Sequence, residues 1–410
     1  GMRSITFVQT FQYWLKLTAL AIPVVFLFLV WQSDGAPSAA GTGLTEFREP
    51  TTVTMSTSAT VEVPREITVT VDGIVDGTRY DRETVTLRAG PHQVRDGSTL
   101  VFPEGAAVPV VDRLPALSNE DWKLPLGGAQ DHPLYATYSL ILATFLGTMG
   151  LPHVLVRFYT NPDGRAARRT TLAVLALLGA FYLFPAVYGA LGRLYTPDLL
   201  LTGRTDAVVL ELPGRMVGGL TGDLLGALVT AGAFGAFLST SSGLSVSVAG
   251  VLSQDIIGRW WQGVTAFRLA TVLAVSVPFG LAVAGQRVPV ANAVGLAFAV
   301  AASTFCPLLV LGIWWRRLTD VGAIAGLLTG GVLSGAAVVA TMLGATSGWT
   351  GALLAQPAAW SVPLGFGAMV VVSLATRRRT APNVARTMVR LHTPEQLDVD
   401  RGGRTFRDHS

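Results

Sequence analysis

The chain has a single cysteine, Cys306, so no intrachain disulfide can staple it. Its five histidines, His92, His132, His153, His392 and His409, are scattered without the spacing of a metal site. There is no nucleophile motif, P-loop or dinucleotide fingerprint, and nothing reads as a soluble enzyme. Charge is scarce as well: Asp, Glu, Lys and Arg make up only 14% of 410 residues. A pI near 9.4 could suggest nucleic acid as a partner. The basic residues, however, stand in short groups beside apolar runs rather than on a soluble basic face, which excludes that reading.

What the chain has in quantity is apolar sequence, with half its residues hydrophobic and a mean hydropathy of +0.49. About eight segments reach the roughly 20 residues that a membrane-crossing helix needs. They lie near residues 7–31, 134–158, 170–192, 217–252, 266–284, 290–315, 320–343 and 352–375. The expected class is an all-α polytopic membrane protein whose first partner is the lipid bilayer. The segment at 217–252 is too long for one simple crossing, so its ends should reach water or the interface.

Arginines orient this set. Arg157, Arg165, Arg168 and Arg169 follow the second segment, Arg259 and Arg268 flank the loop after the fourth, Arg316 and Arg317 follow the sixth, and Arg377, Arg378 and Arg379 follow the eighth. Strict alternation puts all of them on one side, which the positive-inside rule makes cytoplasmic. Residue 1 and the C-terminal tail then lie in the cytoplasm of a cell (plasma or inner) membrane protein, with residues 33–133 outside.

That external stretch reads as a small β-rich domain on about residues 52–115, preceded by a Gly/Ala/Ser/Thr-rich linker at 33–50. The runs TVEV (60–63), ITVTV (67–71), ETVTL (83–87) and TLVF (99–102) alternate as half-buried strands do. Asp72-Gly73, Asp76-Gly77 and Asp96-Gly97 are turn signals. In the first apolar segment, Lys16 followed by 17–31 and APSAAG resembles a signal peptide. The aromatic FVQTFQYW before it extends the run to spanning length and favours a retained helix. Lys16 lies well inside that helix, where it could stand in for a cation, couple to protons, or snorkel outward.

Two segments carry candidate sites. In LYATYSLILATFLGTMGLPHVLVRFYT (134–160), Gly147, Gly150 and Pro152 interrupt a run of spanning length. Broken backbone at membrane depth survives only against protein or a water-filled cavity, and transporters place such breaks at the substrate site. Gly and Pro also serve close helix packing, so both readings stand. His153 could donate to a carboxylate substrate or make a structural hydrogen bond. The second is AGAFGAFLSTSSGLSVSVAG (231–250), where Ala236, Ser239 and Thr240 share one helical face. One carbonyl and two hydroxyls would supply about half of a Na⁺ shell; packing and back-bonding hydroxyls are the alternative. Asp255 reads as a contact for cytoplasmic arginines or a cap; Asp223 could be a functional intramembrane acid, but its place near the outer end favours water contact.

GTMGLPHVLVRFYTNPDGRAARRT (147–170), AFLSTSSGLSVSVAGVLSQD (236–255) and NAVGLAFAVAASTFCPLLVLGIWWRRLTDVGAIAG (292–326) resemble the sodium/solute symporter family, and within it the cation–acetate (monocarboxylate) branch. The resemblance implies a LeuT-like five-plus-five inverted repeat, here partial, with a β-rich extracytoplasmic insert. It implies Na⁺, with H⁺ as a possible coupling ion, at Ala236, Ser239 and Thr240, and no organic cofactor. It places a small monocarboxylate such as acetate or pyruvate at Gly147, Thr148, Met149, Gly150 and His153.

By the same resemblance, residues 1–32 are the last helix of the first repeat, 33–133 the insert, 134–343 the second-repeat core and following helix, 344–376 the final membrane helix, and 377–410 a basic cytoplasmic tail. The chain is then expected to be N-terminally truncated, with the missing helices a possible separate partner. Secondary active symport is the expected activity of the complete protein. A non-transporting fragment, assembly partner or solute-sensing membrane module is the alternative.

Overall fold

The computed structural model describes residues 2–38, 43–112, 114, 118–123, 132–151, 164–261, 263–284, 290–344, 348–379 and 383–393. The chain divides into two compact units, Gly1–Gln130 with Thr160–Val277, and Asp131–Tyr159 with Pro278–Ser410. Among the described residues seven helical stretches are long and apolar enough to cross a membrane: Thr10–Ser33, Gly164–Tyr195, Gly219–Arg259, Val264–Val283, Asn292–Trp314, Asp320–Met342 and Ala358–Ala375. These correspond to seven of the eight expected segments. The remaining one, at 134–158, begins as the helix Pro133–Gly150; its residues from 152 onward lie outside the described residues.

In the first unit, seven strands form one antiparallel sheet: β1 (Thr51–Thr54), β2 (Ala59–Val63), β3 (Ile67–Val75), β4 (Thr78–Leu87), β5 (Gly90–Val94), β6 (Thr99–Phe102) and β7 (Val110–Val111). The spatial order is β1-β6-β3-β5-β2-β7, with β4 paired to β3. Period-two alternation drives it: Ile67, Val69 and Val71 are buried, and Thr68 between them is exposed. All four expected strands are present. Of the other three, β7 has only two residues, Pro91 and His92 mask the alternation of β5, and β1, TTVT, has a single apolar residue to signal it.

Asp76 and Gly77 both take positive φ, 52° and 79°, and turn β3 into β4. Asp72-Gly73, expected as a turn, lies instead inside β3, where the pairing register shifts between Val71 and Gly73. Gly73 has φ 142°, and a methyl group there would collide with Ser98. Glycine at this position therefore makes a bulge rather than a turn.

The linker expectation also needs correction. Phe47 is buried and stacks on Phe102 with ring centroids 4.7 Å apart. Its N–H donates to the Ala106 carbonyl at 2.9 Å. The β core therefore begins before the strands do, and an isolated aromatic in a Gly/Thr-rich stretch is what secures its edge. A later segment supplies another piece of this core: Leu201 is fully buried among the sheet residues.

The helices of this unit are α1 (Met2–Ser33), α2 (Asn119–Lys123), α4 (Gly164–Phe181), α5 (Leu183–Tyr195), α6 (Asp198–Thr202), α7 (Val208–Val217) and α8 (Gly219–Val251). Leu27 of α1 packs with Tyr188 and Leu191 of α5 and with Leu212 and Met216 of α7. α1 also lies against α8 at Gly232, where a methyl group would collide with the Ala19 side chain. Small residues allow that approach. α9 (Val264–Ala284) crosses the division between the units at Val277.

The second unit contains α3 (Pro133–Gly150), α10 (Val290–Trp314), α11 (Asp320–Met342), α12 (Gly348–Ala355), α13 (Ala358–Ala375) and α14 (Val384–His392). Its packing is a run of small residues. Gly322, Gly326, Gly330 and Ser334 repeat every four positions along α11 and are buried. A methyl group at Gly330 would collide with the Ser303 carbonyl, and one at Gly326 with Met369. Between lipid-facing helices there is no water to expel, so such close contact supplies the attraction.

Candidate cation and substrate sites

α8 runs without a break through Ala236, Ser239 and Thr240, so the three residues share a helical face as their spacing requires. Ser239 is 5% exposed, Ala236 half-buried and Thr240 exposed. Four other hydroxyls of this helix are engaged, whereas that of Ser245 makes no hydrogen bond among the described residues. Thr230 donates to the Gly226 carbonyl at 2.8 Å, Ser241 to Phe237 at 2.7 Å, Ser242 to Ser239 at 3.3 Å and Ser247 to Gly243 at 2.8 Å. That is the back-bonding expected of hydroxyls in membrane helices. The Ser239 and Thr240 hydroxyls make no such bond among the described residues.

This difference is the test of fit for a cation. A hard cation takes several neutral or anionic oxygens, and a hydroxyl that bonds back to its own helix has its direction fixed by that bond. Ser239 and Thr240 carry no such constraint, share a face with Ala236, and so fit one side of such a shell.

The stretch Gly147–Gly150 lies in the second unit, on α3. Its backbone is not open: α3 is helical through Gly150, and the chain leaves the helix at Leu151, with φ −82° and ψ 116°. The residue before a proline is driven out of the helical region, and Leu151 precedes Pro152. The two glycines do something else. A methyl group at Gly147 would collide with the Phe298 carbonyl oxygen of α10, and one at Gly150 would stand 2.7 Å from that of Ala301. Both belong to a buried stripe with Ser139 and Ala143.

Thr148 and Met149 are exposed on the other side. Thr148 donates back to the Thr144 carbonyl at 2.7 Å. The last four carbonyls of a helix lack intrahelical donors, and Gly147, Thr148, Met149 and Gly150 occupy that turn. It is an electronegative end that suits a cation or a hydrogen-bond donor. His153 lies outside the described residues.

Three positions on which sequence reasoning was silent anchor these elements. Ser139 is fully buried; its hydroxyl donates to the Gln356 carbonyl at 2.6 Å and accepts from the Ala359 N–H at 3.0 Å. Tyr135 donates to the same carbonyl at 2.7 Å, so α3 is fastened at the junction of α12 and α13. In the first unit, Arg215 bridges Asp198 at 2.6 Å and Glu211 at 2.5 Å. Burial opposes the Arg215 charge, but the two carboxylates outweigh it and hold its pKa above the ordinary value. Only the Glu211–Arg215 spacing of four was legible beforehand. Asp255 and Asp223 are exposed, and neither forms an ion pair among the described residues.

A many-helix membrane architecture with a hydroxyl-bearing helix, and a Gly/Pro-terminated helix earlier in the chain, defines a polytopic transporter-like protein. Residues 118–330, more than half of the chain, match the model of the sodium:solute symporter family, and the chain belongs to that family. It is 34% identical over 285 residues to the uncharacterized symporter YwcA of Bacillus subtilis, covering 64% of this chain and 55% of that protein. It is 33% identical over 250 residues to the monocarboxylic acid transporter of Corynebacterium glutamicum, covering 56% of this chain and 44% of the relative. An uncharacterized symporter of Cupriavidus necator is 31% identical over 300 residues, covering 60% of this chain and 43% of its own length. The chain thus spans about half the length of the curated relatives it matches. No solved structure matches it.

Proposed function

We propose that this chain forms part of a cation-coupled symporter that takes up a small monocarboxylate such as acetate or pyruvate. Na⁺ is the coupling ion, with H⁺ the alternative. The observation that carries the reading is that Ser239 and Thr240, adjacent on one helical face with Ala236, do not bond back to the helix as Thr230, Ser241, Ser242 and Ser247 do. Membership of a sodium-coupled family supports the ion. Similarity to a protein named as a monocarboxylic acid transporter supports the substrate class.

In this reading Ala236, Ser239 and Thr240 hold one side of the ion. When bound, the ion supplies the positive charge and the gradient that make uptake of an anion favourable. Thr148 and Met149 present the free side of α3 to the substrate, Gly147 and Gly150 hold that helix in place, and His153 donates to the carboxylate. Residues 33–133 lie outside the cell membrane and the C-terminal tail inside. Cysteine placed at Ser58 should label with an impermeant thiol reagent in intact cells, and cysteine at Thr380 should not; the reverse pattern sinks the orientation.

The ion site is tested by Ser239→Ala and Thr240→Ala in a protein of the relatives' full length. Two lost oxygens should raise the Na⁺ concentration for half-maximal uptake, while the substrate KM at saturating Na⁺ changes little. An unchanged Na⁺ dependence at normal surface expression assigns both hydroxyls to packing.

The length comparison favours a second reading alongside the first. The cavity of this family lies between two repeats that move against each other, and we assign one wall of it to this chain. Purified alone in proteoliposomes, the chain should show no Na⁺-driven acetate or pyruvate uptake. Co-expression with the helices that complete the relatives' length should restore it. Robust uptake by the chain alone would overturn this division of the site.

A further inference from the structure

Three elements of the second unit bring arginines to one end of the helices. The turn between α10 and α11 carries Arg316 and Arg317, both exposed. Thr319 in that turn hydrogen-bonds Thr376 at 2.8 Å between hydroxyls, which fixes it beside the end of α13, where Arg377 and Arg378 are also exposed. α14 then folds back onto α10: Met388 is buried, and the His392 ring lies 4.9 Å from that of Trp314. Among the described residues of these ends Asp320 is the one acid.

α14 itself is amphipathic. Val384, Met388 and Leu391 fall at i, i+4 and i+7 on one side, and Arg386 and Arg390 at i and i+4 on the other. Leu391 remains 57% exposed and Trp314 71%. An exposed tryptophan at the end of a spanning helix is an interface anchor, since its ring suits the headgroup level.

We propose that this end of the second unit is a binding surface for anionic phospholipid headgroups, with α14 lying along the bilayer surface. Arg316, Arg317, Arg377, Arg378, Arg386 and Arg390 meet the phosphates, while Leu391 and Trp314 enter the acyl boundary. The occupant follows from charge and geometry together. A run of four to eight basic residues at a helix end attracts anionic lipid, and a short helix with apolar residues opposite its arginines suits an interface rather than a water-filled site. Arginine also takes phosphate oxygens in bidentate fashion. The surface shares no residue with the ion and substrate positions and does not depend on the transported solute.

The test is amide hydrogen exchange of 384–392 in the full chain, held in nanodiscs of phosphatidylcholine alone or mixed with phosphatidylglycerol. Each arginine near an anionic surface contributes roughly a fivefold factor, so the two on α14 predict roughly a 25-fold gain in protection with phosphatidylglycerol. The double variant Arg386→Gln, Arg390→Gln should lose most of that gain, and high salt should erode it in the parent. Arg79→Gln, an exposed change on the sheet domain, should keep it. Equal protection in the two lipid mixtures overturns the proposal, as does a full response in the double variant. Inorganic phosphate added to phosphatidylcholine discs is the remaining arm: equal protection there assigns the arginines to a free oxyanion and overturns the lipid surface.

Discussion

Gly147→Ala separates packing from an open substrate backbone more sharply than any other single change in α3. The new methyl group would stand closer than 3.0 Å to the Phe298 carbonyl oxygen, a distance that Cβ atoms essentially never adopt, and that oxygen is backbone. α3 and α10 must therefore separate, and forcing an extra carbon into a filled contact costs about 1–3 kcal/mol. Replacing glycine by alanine inside a helix returns about 0.5–1 kcal/mol. The net expectation is a loss of about 1–2 kcal/mol.

Gly335→Ala on α11 provides the opposite case, because nothing lies within 4 Å of its new methyl group. That variant should gain about 0.5–1 kcal/mol. Both are measured by reversible denaturant unfolding of the purified protein in one detergent, followed by far-ultraviolet circular dichroism. A Gly147→Ala protein as stable as the parent, with Gly335→Ala also neutral, would refute the contact between α3 and α10 and reopen the unwound-helix reading.

His92 should make the stability of the sheet domain depend on pH. Its Nδ1 faces Asp76 at 2.6 Å and its Nε2 faces the Arg88 carbonyl at 2.8 Å, so two acceptors call for the doubly protonated ring. Burial opposes that charge, but the Asp76 and Arg88 hydrogen bonds outweigh it and raise the pKa above 6.5. The stabilisation is full below the unfolded value and disappears as pH rises through the folded one. His92→Gln should flatten this part of the pH–stability profile, and an unchanged profile would exclude His92 as its source. Phe47→Ala should destabilise the sheet domain by about 3–5 kcal/mol, and Leu201→Ala by about 2–5 kcal/mol, because both side chains fill its core. Limited proteolysis within 51–111 reads either change, and full protection of both variants would place those residues outside the core.

Much of this protein was legible in one dimension. Spanning segments announce themselves because a bilayer demands about 20 apolar residues in succession, and that demand is met by composition alone. Strands with strict alternation, such as 67–71, were equally plain. The shared face of Ala236, Ser239 and Thr240 followed from helical spacing, which needs no tertiary information. Quoted motifs sufficed for the family as well.

Only the folded chain decided what identical residue types do in different places. Gly73 and Gly77 each follow an aspartate, yet one makes a bulge and the other a turn, because strand pairing and the approach of Ser98 set the difference. For Gly147 and Gly150 the sequence left a loosened helix and close packing both open; the close contact is visible only in the fold, since what stands opposite a glycine comes from α10, far along the sequence. Phe47 and Leu201 lie in segments with no strand signal and still fill the sheet core. Ser239 and Ser241 are two residues apart and chemically the same, and only the direction of each side chain determines which hydroxyl remains available. Local pattern specifies elements because it depends on neighbours along the chain; partners across space depend on how those elements meet, and that is settled by packing.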